Sequence, residues 1–223
     1  MEQTPLDPIL SEMSQPPQLT EIQRARKEFF AAIPDLGEDD PSFEALMAFF
    51  LSWFVLDRPL EGQPVTPLQW YAAKPERTPE QRALCIALSA NRHSLFRVEK
   101  FGAGSVMLRD LFLNEPLKVN ERRHLAGLRP KDILEARLFP REPGLVFLSG
   151  NFLVHPTAAV RVIGRAVEEH RATGRPPRRQ ILDRLRVGCF RYRDRFRERV
   201  DAARLYAEAL EPRGTPDSSS TSG

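Results

Sequence analysis

Apolar residues recur at helical spacing from about residue 19 to 91, alternate with polar ones from about 94 to 153, and return to steps of three and four beyond Pro156. In the first stretch, Thr20 is placed to cap a helix running through EIQRARKEFFAAI and stopping before Pro34. Asp40-Pro41 starts the next helix, with Asp as cap and Pro at the first position. Its residues Phe43, Leu46, Met47, Phe49, Phe50, Leu51, Trp53, Phe54 and Val55 are apolar nearly all round, which predicts a central helix with others packed on it. Asp57-Arg58-Pro59 breaks it. Thr66-Pro67 opens a short helix carrying Leu68, Trp70 and Tyr71. Thr78-Pro79-Glu80 opens another, ending near Asn91, with Leu84, Cys85 and Leu88 inward.

The alternating stretch reads as strands. HSLFRVEKF and SVMLRDLFL flank the glycine turn GAG, a hairpin signal, and LKVNERR supplies a third strand. DILEARLFP and LVFLSGNF, joined by REPG, form a second hairpin. Five short strands in this span predict a small antiparallel, barrel-like sheet. A helix from Pro156 to about Thr173, with Val160, Ile163 and Val167 inward, is expected to pack back on that sheet. Beyond Gly174-Arg175-Pro176-Pro177, one long amphipathic helix is expected over 176–210, its stripe running through Leu182, Leu185, Cys189, Tyr192, Phe196, Val200, Ala203, Tyr206 and Leu210.

The fold class is therefore α+β: a helical part over 19–91, a small antiparallel β unit with its packed helix over 94–173, and a long C-terminal helix. Residues 1–18, with Pro5, Pro8, Pro16 and Pro17, read as a flexible lead-in, and 211–223 as a disordered tail.

Composition narrows the function classes. The chain of 223 residues carries 33 Lys+Arg against 30 Asp+Glu and only two cysteines, Cys85 and Cys189, which excludes a disulfide framework and a Cys-rich zinc module. No apolar run is long enough to span a bilayer, and MEQTPLDPILSEMSQPPQ lacks the basic and apolar regions of a signal peptide. A cytoplasmic location is expected. The near-neutral total hides a gradient: residues 161–223 carry a net charge of +6, with 15 arginines and no lysine, and residues 1–160 a net charge of −3.

Candidate chemistry is sparse. His93, His124, His155 and His170 share no ligand spacing with each other or with the cysteines, so no metal is expected. There is no G-x-S-x-G, and both cysteines fall on apolar helix faces where thiols are inert. GAGS at 102–105 joins two strands and lacks the Walker Lys-Ser/Thr, so it reads as a turn. Asp57, Asp110 and Asp132 are the carboxylates from which acid/base work would be drawn. Asp57 reads as a contact for Arg58 at a helix end, and Asp132 as a turn residue. No catalytic residue and no cofactor is assigned, and the balance leans away from an enzyme.

FFLSWFVLDRPLEGQPVTPLQWY, followed by SLFRVEKF…LRDLF and KDILEARLFP…FLSG, resembles a pattern of uncharacterised bacterial proteins, some of which end in a SEC-C type cysteine/histidine zinc motif. In them a Trp-Phe…Asp-x-Pro-Leu helix end is similarly followed by a Thr-x-(Leu) stretch and a small β unit. The resemblance covers residues 43–150 and implies the two-part architecture. The chain has no Cys-x-Cys…Cys-His cluster at its end, so no zinc is carried over.

What remains is a non-enzymatic interaction or adaptor module with a protein partner. Its expected surfaces are an exposed edge of the sheet at LVFLSG, through Val146 and Leu148, and the C-terminal stripe, through Tyr192 and Phe196. The competing class is nucleic-acid binding through the arginine-rich helix, led by Arg178, Arg179, Arg184 and Arg186. Asp183, Asp194, Glu198, Asp201 and Glu208 are interleaved with those arginines at ion-pair spacing, which favours a solvated or protein-facing helix.

Overall fold

The computed structural model describes residues 4–31, 33, 43–121, 125, 127–148, 152–195 and 200–211. The chain divides into two units, residues 1–157 and 158–223. The first opens with a helix where a flexible lead-in was expected: α1 (Asp7–Met13) buries Ile9 and Met13 completely. Pro8 does not prevent it, because it sits in the first turn, where a missing N–H costs no helical bond.

Helix α2 (Leu19–Phe30) starts before the expected cap, and the Thr20 hydroxyl donates backward to the Pro17 carbonyl. The Asp40-Pro41 start lies outside the described residues. Helix α3 (Phe43–Leu56) is buried on nearly every side, as its composition requires, and its Phe50 and Trp53 meet Phe29 of α2 at ring-centroid distances of 5.6 and 5.3 Å. Helices α4 (Pro67–Ala72) and α5 (Pro79–Ser89) begin at reciprocal caps, Thr66 with Gln69 and Thr78 with Gln81, each followed by proline at the first helical position. Arg58, 7 % exposed, ties the end of α3 to α2, its Nε donating to Glu28 and its Nη1 to Glu21. This corrects the expected Asp57–Arg58 contact.

The strands are β1 (Arg92–Gly102), β2 (Ser105–Asp110), β3 (Glu115–Asn120), β4 (Ile133–Arg141), β5 (Gly144–Phe147) and a short β6 (Leu153–Val154). The β1–β2 turn closes through Gly104, whose φ of 65° lies in the left-handed region that glycine adopts without a steric cost. β1 is long enough to pair twice, with β4 through Arg92–Arg97 and with β2 through Phe96–Gly102. The order β1-β2-β3-β5-β4 therefore returns to β1, and β6 adds a short pairing on β4. All ring pairings are antiparallel except one: β3 meets β5 in parallel, Val119 opposite Leu145. The sheet is thus a mixed, partly open ring rather than an antiparallel barrel. Phe96, Val98, Val106, Leu108, Val119, Leu134, Ala136, Leu138 and Phe147 fill its interior.

The second unit holds α6 (Val160–Thr173), α7 (Arg178–Asp194) and α8 (Ala202–Leu210). The helix expected to lie on the sheet belongs to this unit, where α8 packs on it. The single helix expected over 176–210 is two helices. Asp201 caps α8 by accepting from the Ala203 N–H, and α7 leaves helical geometry at Arg195. The stripe therefore folds on itself, with α8 packed on α7 at Gly188, where a Cβ would lie in contact at 3.4 Å from the Tyr206 Cα and the Ala209 Cβ. Among the described residues, no helix is long and apolar enough to cross a membrane.

Candidate functional site

The residues singled out from sequence are mostly occupied with the fold. Leu148 is 5 % exposed, its N–H donates to the Arg137 carbonyl, and both it and Val146 pack into the helical core of the first unit. β5 pairs with β4 over Gly144–Phe147 and meets β3 at Leu145, and the side chains of Val146 and Leu148 are taken up by packing rather than presented at an exposed edge. That expectation is corrected. Tyr192 is half-buried, and Phe196 lies outside the described residues.

The four arginines do not form a row of cations facing solvent. Arg186 is 4 % exposed and donates to Asp183, and Arg184 donates to the Leu210 carbonyl at the end of α8. Arg178 is half-buried, and Arg179 is exposed with its Nε 3.9 Å from Asp183. Helix pairing explains this: once α8 folds onto α7, arginines on the shared face become structural contacts, a use the sequence pattern does not separate from ligand binding.

A second set of charged groups lies inside the first unit. On the outward side of β1 and β4, His93 Nε2 sits 2.8 Å from the fully buried Glu135, and Arg137 donates to Asp57 and Asn91. On the ring's inner side Asp110 accepts from the Ser94 hydroxyl and from the Phe112 and Leu113 N–H groups. Asp132 accepts from the Arg129 N–H, as its turn reading requires. These carboxylates are spent on joining elements and closing turns. Among the described residues there is no group of three or more His, Cys, Asp or Glu side chains that could hold a metal ion.

The ring's outer face is different. Register fixes its rows: Arg97 opposite Arg109 opposite Pro116, and Lys100 opposite Met107 opposite Lys118. Their strand neighbours Val98, Val106, Leu108 and Val119 point inward, so side-chain alternation sends this set outward. Arg97, Lys100 and Lys118 are exposed, while Arg109 and Met107 are half-buried. A bulge between Val98 and Lys100 inserts Glu99, whose carboxylate accepts from Arg109 Nε at 2.6 Å. Exposed Lys131 lies alongside, its N–H donating to the Val98 carbonyl. Three neighbouring strands thus present Arg97, Lys100 and Lys118 on one surface around Arg109, whose charge is taken up by Glu99 and which also donates to the Asn114 carbonyl. At the hairpin end Phe101 is 43 % exposed. Its partner Val106 is an inner position, so Phe101 stands beyond the packed interior, at the mouth of the ring.

The sequence reading passed over this face. Its signal was the set of polar positions between the apolar ones in FRVEK, VMLR and LKVN, which become one surface only when the register aligns them.

The model of a family of unknown function matches residues 24–177, a span that takes in the whole 43–150 segment bearing the resemblance. No curated protein and no solved structure matches the chain.

Proposed function

Because the chain belongs to DUF7986, a family of unknown function, no relative lends it an activity, and we propose from its own surface that it is a non-enzymatic module binding nucleic acid through the outer face of β1–β2–β3. The observation that carries this reading is the cluster Arg97, Lys100 and Lys118 on one face of neighbouring strands, around the Arg109–Glu99 pair. Phosphate groups are what such a cluster complements, and each neutralised phosphate releases condensed counterions. The contact surface differs from the arginine-rich helix expected from sequence, whose cations are partly consumed by ion pairs and by the α8 carbonyl.

The test is fluorescence anisotropy of the full chain with labelled oligonucleotides across a salt series. Three phosphate contacts give a log–log slope of about −2 to −3, so affinity falls about 20- to 40-fold between about 50 and 200 mM salt. Replacing Lys100 and Lys118 together by Gln lowers affinity for every sequence and flattens the slope by about 1.5 to 2. A salt-independent affinity, or a double variant that binds as the parent does, overturns the proposal and favours the adaptor reading with a protein partner.

A further inference from the structure

We propose that the ring face takes single-stranded nucleic acid, with one unstacked base resting on Phe101. This rests on the phosphate-binding role proposed above for Arg97, Lys100 and Lys118. Phe101 is 43 % exposed and follows Lys100 in the chain, so a cation on the outer face and an aromatic ring at the mouth flank the same end of the hairpin. Packing does not require the exposure: the interior is closed by Val98, Val106 and Leu108, and Phe101 lies past them.

A large aromatic ring left in water beside cations matches a strand whose bases are splayed, because every base has a π face to stack and the stacking needs no particular sequence. A duplex keeps its bases stacked on each other and offers Phe101 only a sugar–phosphate edge. The phosphates follow the outer face, and the base turns over the hairpin end onto the ring mouth. The half-exposed Met107, between Lys100 and Lys118 in register, gives the sugars an adaptable apolar contact along that track.

The experiment compares three labelled ligands of about twelve units, enough to cover a site of this kind: an oligothymidylate, the same backbone without bases, and a duplex. The full chain is measured as the parent, as Phe101→Ala, and as Lys100→Gln with Lys118→Gln, with circular dichroism confirming that each is folded. The parent binds the oligothymidylate about five-fold or more tighter than the abasic strand, the gain of a single stacked base, and tighter than the duplex. Phe101→Ala loses that margin and leaves the abasic affinity unchanged. Phe101→Trp restores the margin, and its indole emission is quenched by the oligothymidylate but not by the abasic strand. Equal affinity for duplex and single strand, or an unchanged margin in Phe101→Ala, overturns the single-strand proposal while leaving the cationic face in place. A Lys100/Lys118 variant that binds all three as the parent does removes the cationic face itself, and with it both readings.

Discussion

Replacing Glu12 by Gln should loosen α1 from the first unit. Glu12 faces Arg77 with both carboxylate oxygens, Oε1 at 2.6 Å from Nη1 and Oε2 at 2.7 Å from Nη2, and accepts from Lys74 at 2.7 Å. Arg77 is the side that matters most. Its side chain is only 6 % exposed, its Nε donates to the Tyr71 carbonyl, and its guanidinium lies 3.5 Å from the Tyr71 ring centroid. A Gln at position 12 leaves that guanidinium without its anion. A bidentate charge-assisted pair is worth about 1.5–3 kcal/mol when shielded. The Glu12 side chain is a third exposed, and the Lys74 arm adds little at such exposure, so the expected loss is about 1–2 kcal/mol. That corresponds to a melting temperature lower by about 2–8 °C. The pH dependence carries a sign that separates this account from a packing effect. The hydrogen bond from Arg77 holds the Glu12 carboxyl below its ordinary value near 4.5, burial pushing the other way and Lys74 assisting. A carboxyl lowered in the folded state contributes stability that is present above its unfolded pKa and lost as pH falls through the folded one. Urea unfolding followed by circular dichroism should therefore show the full gap between parent and variant near pH 7. The gap should close as the pH falls below the ordinary carboxyl value and the folded-state carboxyl takes up its proton. Hydrogen exchange over residues 7–13 should report the same change locally. An unchanged midpoint at neutral pH, or a gap that persists in acid, would refute the ion-pair account.

Two further changes test the second unit. Gly188→Ala should be neutral or stabilising by up to about 1 kcal/mol, since 3.4 Å from Tyr206 and Ala209 leaves room for a methyl and alanine favours helix. Gly188→Leu should instead cost about 1–3 kcal/mol by forcing α8 away, visible as a lower urea midpoint. Asp201→Ala should remove the side-chain cap of α8 at a cost of about 1 kcal/mol and speed exchange of the Ala203 amide, and unaltered exchange there would assign the helix break to something other than the cap.

Local chemistry in this chain was legible, and long-range pairing was not. Thr66 and Thr78, each followed by proline and a glutamine three residues on, set the starts of α4 and α5 with side chains that only neighbours need to satisfy. The strands announced themselves by alternation and by the Gly102–Gly104 turn. Helix α1 was missed because four prolines outweighed Leu6, Ile9 and Met13, whose spacing of three and four was the correct signal. The break between α7 and α8 was hidden because Asp201, read as one more acid in an arginine-rich face, is a cap. Val146 and Leu148 looked like an edge because nothing local shows that packing takes up their side chains. The cationic face depended on the same non-local register, since Lys100 and Lys118 become neighbours across Met107 only after three strands align.

The lone parallel pairing between β3 and β5 makes the ring's resistance to opening uneven around its circumference. β1 is paired along its whole length, with β4 through Arg92–Arg97 and with β2 through Phe96–Gly102, whereas among the described residues the register of β3 with β5 is the single pair Val119 and Leu145. Thermal opening will therefore begin at that seam. An opened seam presents the backbone N–H and C=O groups of β3 as a template for another chain, the hazard that a closed sheet otherwise removes. Lys118 and Glu115 on the same strand oppose a parallel, in-register copy of β3, which would set each of them beside its own like charge. Lys118, proposed to receive phosphate, thereby also opposes that self-pairing, and replacing it for a binding experiment will cost solubility on heating before it costs fold.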